Sequence, residues 1–241
     1  MGAGRGVAWL PLTCVCVLVA CGARHGTTAG AAAPPGPAGP AAATDGNADG
    51  VAASGPASAR SMEGARHVKV TLYHLALEPC PDGREVSLPK CGGGALASVS
   101  AKFLRSVTMQ GSGKLCDGRV VGVHTVKPLC FREVTGAAWG MTASGRPATP
   151  FRSIAIDTKR FELGRWYYAR QLDGFALPAP NAGERHDGCL RADDHGGGVK
   201  GDAIDVFVGD PAAMKPLAAL IARGFDLAPD DGTCARAHGA P

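Results

Sequence analysis

Hydrophobic and polar positions alternate most cleanly between Ala203 and Val208, where Ile204, Val206 and Val208 are separated by Asp205 and Phe207. Period-two patterning predicts a β-strand with one covered face. The same alternation in Val68, Val70 and Leu72 predicts an opening strand within 67–75. Val121, Val123 and Thr125 predict another within 118–126. Ile154 and Ile156 predict a short strand that ends in a turn at Asp157, and Trp166 and Tyr168, on either side of Tyr167, predict the next. Helical spacing is rarer. Val99, Phe103 and Val107 share a face in 97–107, and Leu217, Leu220 and Ile221 predict a helix over 214–222. Residues 79–95, rich in Pro, Gly and Cys, read as loop; beyond Pro229 a frayed tail is expected unless Cys234 pins it. Several short strands and few helices predict a small closed β structure.

Upstream of 67 the pattern changes twice. Arg5 precedes a mostly apolar run from Val7 to Ala20, too short to span a bilayer comfortably. The run ends Leu18-Val19-Ala20-Cys21-Gly22. Small residues before a cysteine resemble the bacterial lipoprotein cleavage box. That resemblance implies a signal peptide over 1–20 and a lipid on Cys21, an anchor rather than a span. Gly22 in place of aspartate resembles the outer-membrane sorting pattern; the alternative is an ordinary secretory signal cut near Ala23. Residues 22–66 are Ala-, Gly- and Pro-rich with hardly a large apolar side chain. They cannot bury enough surface to offset ordering entropy and read as a flexible tether. A coil of about 45 residues reaches on the order of 35–40 Å, enough to lift a domain from a membrane towards a cell wall.

Composition narrows the classes further. The chain has 241 residues, 35 of them Gly and 18 Pro, and a net charge of +4. One sizeable domain with tails fits that length. No run of Lys and Arg is present, so the electrostatic footprint of a nucleic-acid binder is missing. After the signal and Cys21, six cysteines remain: Cys80, Cys91, Cys116, Cys130, Cys189 and Cys234. An even number in an exported domain predicts disulfides. Pairing of neighbours gives Cys80–Cys91 and Cys116–Cys130, with Cys189–Cys234 left by elimination. The absence of Cys-x-x-Cys argues against structural zinc. Gly111-Ser112-Gly113-Lys114 is too short for a phosphate loop, and Leu115 stands where Ser or Thr would hold magnesium, so it reads as a turn.

The candidate chemistry lies in Asp194-His195-Gly196-Gly197-Gly198-Val199-Lys200-Gly201-Asp202-Ala203-Ile204-Asp205. A carboxylate inside a strand is costly to bury unpaired, and burial raises its pKa, as a general acid needs. The stretch resembles the Asp-x-Gly-Gly-(Ala)-Ile-Lys-Gly-x-x-x-Asp signature of the three-aspartate domain, which also forms part of the barrel of membrane-bound lytic transglycosylase A. Upstream, Ile154-Ala155-Ile156-Asp157 through Gly164 and Trp166 is similar to the same family's strand pair, without its usual proline near Glu162. Asp157, Asp194 and Asp205 are then the three aspartates.

The resemblance implies a six-stranded double-psi β-barrel over 67–228, with short helices and disulfide-stapled loops, and a C-terminal tail over 229–241. It implies a lytic transglycosylase of the peptidoglycan, in which one acid protonates the leaving oxygen of the MurNAc–GlcNAc bond. The resulting carboxylate then accepts the C6 hydroxyl proton, closing a 1,6-anhydro ring. Asp205 inherits that role, and Asp194 that of a neighbouring carboxylate. Asp157 would fix a loop or bind sugar, Gly196 and Gly197 would offer backbone to glycan hydroxyls, and Lys200 would meet a lactyl or peptide carboxylate. Tyr73 is barrel packing or a glycan contact.

The bland readings are that Asp205 is an inward polar residue tying strands together, Asp157 and Asp194 build turns, and Lys200 is solvated. His186, Asp187, Asp193 and His195 are metal-ligand types, yet polar loops collect them by chance, so no metal and no cofactor is expected. The family's transglycosylase has a second domain that completes its glycan groove, and the chain leaves no room for one. The alternative function is a lipid-anchored, non-catalytic module that binds peptidoglycan strands. The expected location is periplasmic, at the outer membrane.

Overall fold

A computed structural model describes residues 60–80 and 85–239. In chain order the strands are β1 (Arg66–Tyr73), β2 (Ala76–Leu77), β3 (Val86–Pro89), β4 (Ala95–Val99), β5 (Ser112–Lys114), β6 (Val120–Val126), β7 (Leu129–Val134), β8 (Ser153–Ile156), β9 (Trp166–Ala169), β10 (Cys189–His195), β11 (Ala203–Phe207) and β12 (Phe225–Pro229). The helices are α1 (Ala101–Gln110), α2 (Met214–Ile221) and α3 (Thr233–His238). No described helix is long and apolar enough to cross a membrane. The signal peptide, Cys21 and most of the tether lie outside the described residues.

Six strands close the expected double-psi barrel in the order β1, β11, β8, β10, β9, β12. The pairs β1–β11 and β8–β10 are parallel and the remaining pairs antiparallel. The alternating apolar residues point inward: Val70, Ile154, Leu190, Ile204, Val206 and Leu227 meet in one core. Closure leaves no free strand edge. In β11, Asp205 therefore lies on the outer face, opposite to Ile204 and Val206. This corrects the reading of Asp205 as an inward strand tie.

The barrel is not alone. Residues 76–134, inserted between β1 and β8, build a four-stranded sheet β2-β5-β6-β7 and a hairpin β3–β4, with α1 packed against them. This lobe has its own core of Leu88, Val99, Phe103, Val107, Val121 and Phe131. Its opposite face reaches the barrel's outer surface through Val120 and Val134, which join Leu75, Phe207 and Tyr73. The sequence reading left no room for a second domain beside the barrel, but residues 76–134 form a lobe with its own core there.

Disulfide pairing differs from neighbour pairing. The bonds are Cys80–Cys116, Cys91–Cys130 and Cys189–Cys234, so only the last was anticipated. Strand pairing explains the crossing. β2 runs beside β5, and the Cys116 N–H donates to the Glu78 carboxylate at 2.7 Å, which brings Cys116 to Cys80. The Cys91 N–H donates to the Phe131 carbonyl at 3.1 Å, which seats Cys91 beside Cys130. Cys189–Cys234 pins α3 to β10, so the chain beyond Pro229 is not frayed over the described residues.

Boundaries moved where capping decides them. The helix predicted over 97–107 begins at Ala101, because Ser100 accepts the Phe103 N–H on its hydroxyl at 3.1 Å. Val99 belongs to β4 instead. Gly111 ends α1 at φ 84°, and Ser112–Lys114 is a strand rather than a turn.

Candidate active site

Register places the acids. Asp205 of β11 and Asp194 of β10 are both opposite Ala155 of β8, the strand between them. Two strand spacings separate them, about 9–10 Å between backbones. Ala155 keeps the floor low between the two carboxyl groups. Asp194 reaches this face through a β-bulge. Leu190 and Ala192 point into the barrel, and regular alternation would send residue 194 inward too. The register slips between Ala192 and Asp194, turning Asp194 outward. The bulged Asp193 is buried and held by Ser153 Oγ at 2.8 Å and Arg191 Nε at 3.2 Å.

The acids line a cleft of about 840 Å³ between the barrel and the lobe. Tyr73, Gly196 and Gly197 line it as well. Asp194 is fixed as an acceptor: Oδ1 takes the Ala143 N–H at 3.1 Å and the His195 N–H at 2.9 Å, and the Tyr73 hydroxyl donates to Oδ2 at 3.4 Å. Burial, then the charges of Asp194 and Asp205, push the Tyr73 hydroxyl pKa well up, so it stays a donor.

Asp205 has the opposite surroundings. Burial raises its pKa to about 6; the hydroxyl of Thr71 across the ladder lowers it in part, and the negative Asp194, the smallest of the three effects, raises it. Its Oδ1 is buried with no hydrogen-bond partner among the described residues. The pair is thus one carboxyl group engaged by three donors and one that holds its proton to a higher pH than an ordinary aspartate.

The remaining sequence candidates separate from this pair. Asp157 is outside the cleft. It accepts the Gly201 N–H at 2.8 Å and the Lys159 N–H at 3.1 Å, and these bonds lower its pKa. It clamps the β8–β9 turn to the end of the glycine-rich loop. Lys200 is exposed and not part of the cleft wall. Gly196 and Gly197 are not held at positive φ, and a Cβ on Gly197 would meet nothing within 4 Å. Bare backbone facing the cleft is what glycine provides there.

Of the metal-type residues, His186 and Asp187 adjoin at 3.9 Å, and each has further partners. His186 spans the Phe151 carbonyl and the Gly188 N–H, and burial lowers its pKa to about 4. Asp187 pairs with Arg152 and His238. Asp187, Cys189 and His238 approach one another, but the Cys189 sulfur is in a disulfide.

The sequence reading missed the lobe side of the cleft. Met109 and Val126 line it while 78% and 64% exposed, and Met141, beyond the lobe, lines the same cleft while 41% exposed, so this wall offers apolar surface. Arg132 lines it too. Nothing in the loosely patterned 75–150 segment marked these residues. Asp193 was read only as a residue of metal-ligand type beside the motif, not as the bulge that turns Asp194 outward.

No family model matches the chain, and no curated protein matches it. Similar solved structures include E. coli MltA with bound chitohexaose, 14% identical, covering 68% of this chain and 72% of that one with a TM-score of 0.45. A membrane-bound lytic murein transglycosylase from Agrobacterium tumefaciens is 15% identical and covers 70% of this chain and 75% of its own, with a TM-score of 0.40. The lytic transglycosylase LtgG of Burkholderia pseudomallei is 21% identical and covers 68% and 69%, with a TM-score of 0.33.

Proposed function

We propose that this chain is a peptidoglycan lytic transglycosylase in which Asp205 serves as both acid and base. One observation carries the reading: the Asp205 carboxyl, with Oδ1 buried and unpartnered among the described residues and its pKa raised to about 6, beside Asp194 in the cleft. Protonated Asp205 donates to the bridging oxygen as the bond from MurNAc C1 to the GlcNAc oxygen breaks. The positive charge that develops at C1 is stabilised by Asp194, whose oxygens are held by two backbone N–H groups and the Tyr73 hydroxyl. Ionised Asp205 then takes the proton of the C6 hydroxyl as O6 bonds to C1. The net proton moves from O6 to the leaving oxygen, and no water is consumed.

A hydrolase of the ordinary kind needs a second carboxylate as nucleophile or base. Asp194 is a poorer candidate, because three donors take most of its roughly four lone-pair sites. The reading keeps the wider expectations with it. A lipid on Cys21 and the tether would hold the barrel in the periplasm, on the outer membrane and within reach of glycan strands; radiolabelled palmitate on the wild type and not on Cys21→Ala tests the anchor. Mass spectrometry of sacculi incubated with the protein tests the reaction. Products ending in 1,6-anhydroMurNAc are expected. Reducing ends would mean a hydrolase, and co-sedimentation without products would mean the binding module.

A further inference from the structure

The cleft has two unlike walls. Asp194, Asp205 and Tyr73 stand on the barrel side, and Arg132 of β7 stands on the lobe side. Register fixes where Arg132 faces. It pairs with Gly122, whereas its neighbour Phe131 pairs with Val123 and enters the lobe core. Arg132 therefore shares its face with Val134, two residues or about 7 Å further along the strand. Val134 packs on the cluster that contains Tyr73 and Phe207 of the barrel. The same face, continued to Arg132, overlooks the cleft, and Gly122 beside it carries no side chain, where a Cβ would press on Val134 at 3.3 Å.

Arg132 is exposed and has no hydrogen bond or ion pair among the described residues. The adjacent acid, Glu133, is taken by Arg119 at 3.4 Å. The charges that act on Asp205 do not include Arg132. A guanidinium placed in a cleft but spent on neither acid is free for a charge on the ligand. Its planar fork matches a carboxylate with two parallel bonds.

We infer that Arg132 is a specificity-determining residue that selects carboxylate-bearing glycan, through the lactyl group or the peptide it carries, over neutral N-acetylglucosamine chains. The inference rests on the peptidoglycan reading above and assigns Arg132 the part the sequence had given to Lys200.

The test uses the full chain with Asp205→Asn, so that strands bind without being cut. Calorimetry compares three ligands: chitohexaose, which is neutral; glycan strands stripped of peptide, which expose the lactyl carboxylate; and peptide-bearing strands. Adding Arg132→Ala or Arg132→Gln is expected to weaken carboxylate-bearing strands about ten- to a hundredfold and leave chitohexaose unchanged. Unchanged chitohexaose binding also shows that the variants fold. Loss confined to peptide-bearing strands assigns the contact to peptide; loss on stripped strands as well assigns it to the lactyl group. With Arg132 present, rising salt should weaken the carboxylate-bearing ligands alone. Equal binding of the three ligands, unaltered by Arg132→Ala, overturns the inference and leaves the peptidoglycan reading standing. Failure of every ligand to bind overturns both.

Discussion

Asp205 lies within the short β8–β11 pairing and Asp157 just past its end, and the two aspartates have opposite fates. Asp205 lies in a covered cleft, with one oxygen unpartnered and its pKa pushed up to about 6 by burial and by Asp194. Asp157 lies on an exposed turn, where the N–H groups of Gly201 and Lys159 lower its pKa. Spacing alone treats the two as equals. Surroundings decide that one can hold a proton for chemistry while the other fastens a loop.

The sharpest way to break the comparison is to remove each carboxyl. Asp205→Asn should lower turnover of peptidoglycan about 10²- to 10⁴-fold with the fold retained by circular dichroism. Asp157→Asn should leave turnover within a few-fold, measured in the same assay; equal losses would erase the distinction. Stability should move the other way. A raised pKa means the ionised form strains the fold, so this cost is absent below the ordinary aspartate pKa, grows as pH rises, and is complete above about 6. Asp205→Asn should then be stabilised by about 2 kcal/mol in urea melts above pH 6 and gain nothing near pH 3. In wild-type kinetics, kcat/KM should fall as pH rises through about 6, where Asp205 loses its proton. Asp194→Asn removes a repelling charge and should shift that fall to lower pH. The smallest effect belongs to Asp157→Ala, a slight drop in Tm. It should be visible above the ordinary aspartate pKa and fade as pH falls, because the lowered pKa stabilises the fold only while the group is ionised.

The barrel was largely legible in the sequence because most of its strands have one covered face that alternation reveals. Val68, Val70, Ile204 and Val206 all point where the period predicts. β10 was not legible. Arg191 and Asp193 are buried on its outer face as a mutual pair, so both faces are covered and the polar residues read as loop. Its bulge, which turns Asp194 towards Asp205, leaves no mark on composition. The lobe was hidden for a different reason. Its strands are short and interrupted by Gly, Pro and Cys, and crossing disulfides hold them together. Arg132 and the exposed Met109 came from that segment, so the acids could be named in advance and the wall facing them could not.

The account turns on a proton held by Asp205, and a carboxyl titration reads it directly. With ¹³C on the aspartate side-chain carboxyl carbons and Asp205→Asn to assign the signal, the Asp205 resonance should titrate with a midpoint near 6. A midpoint at or below the ordinary aspartate value near 4 would contradict the account, because Asp205 would then titrate as an ordinary carboxyl with no raised hold on its proton.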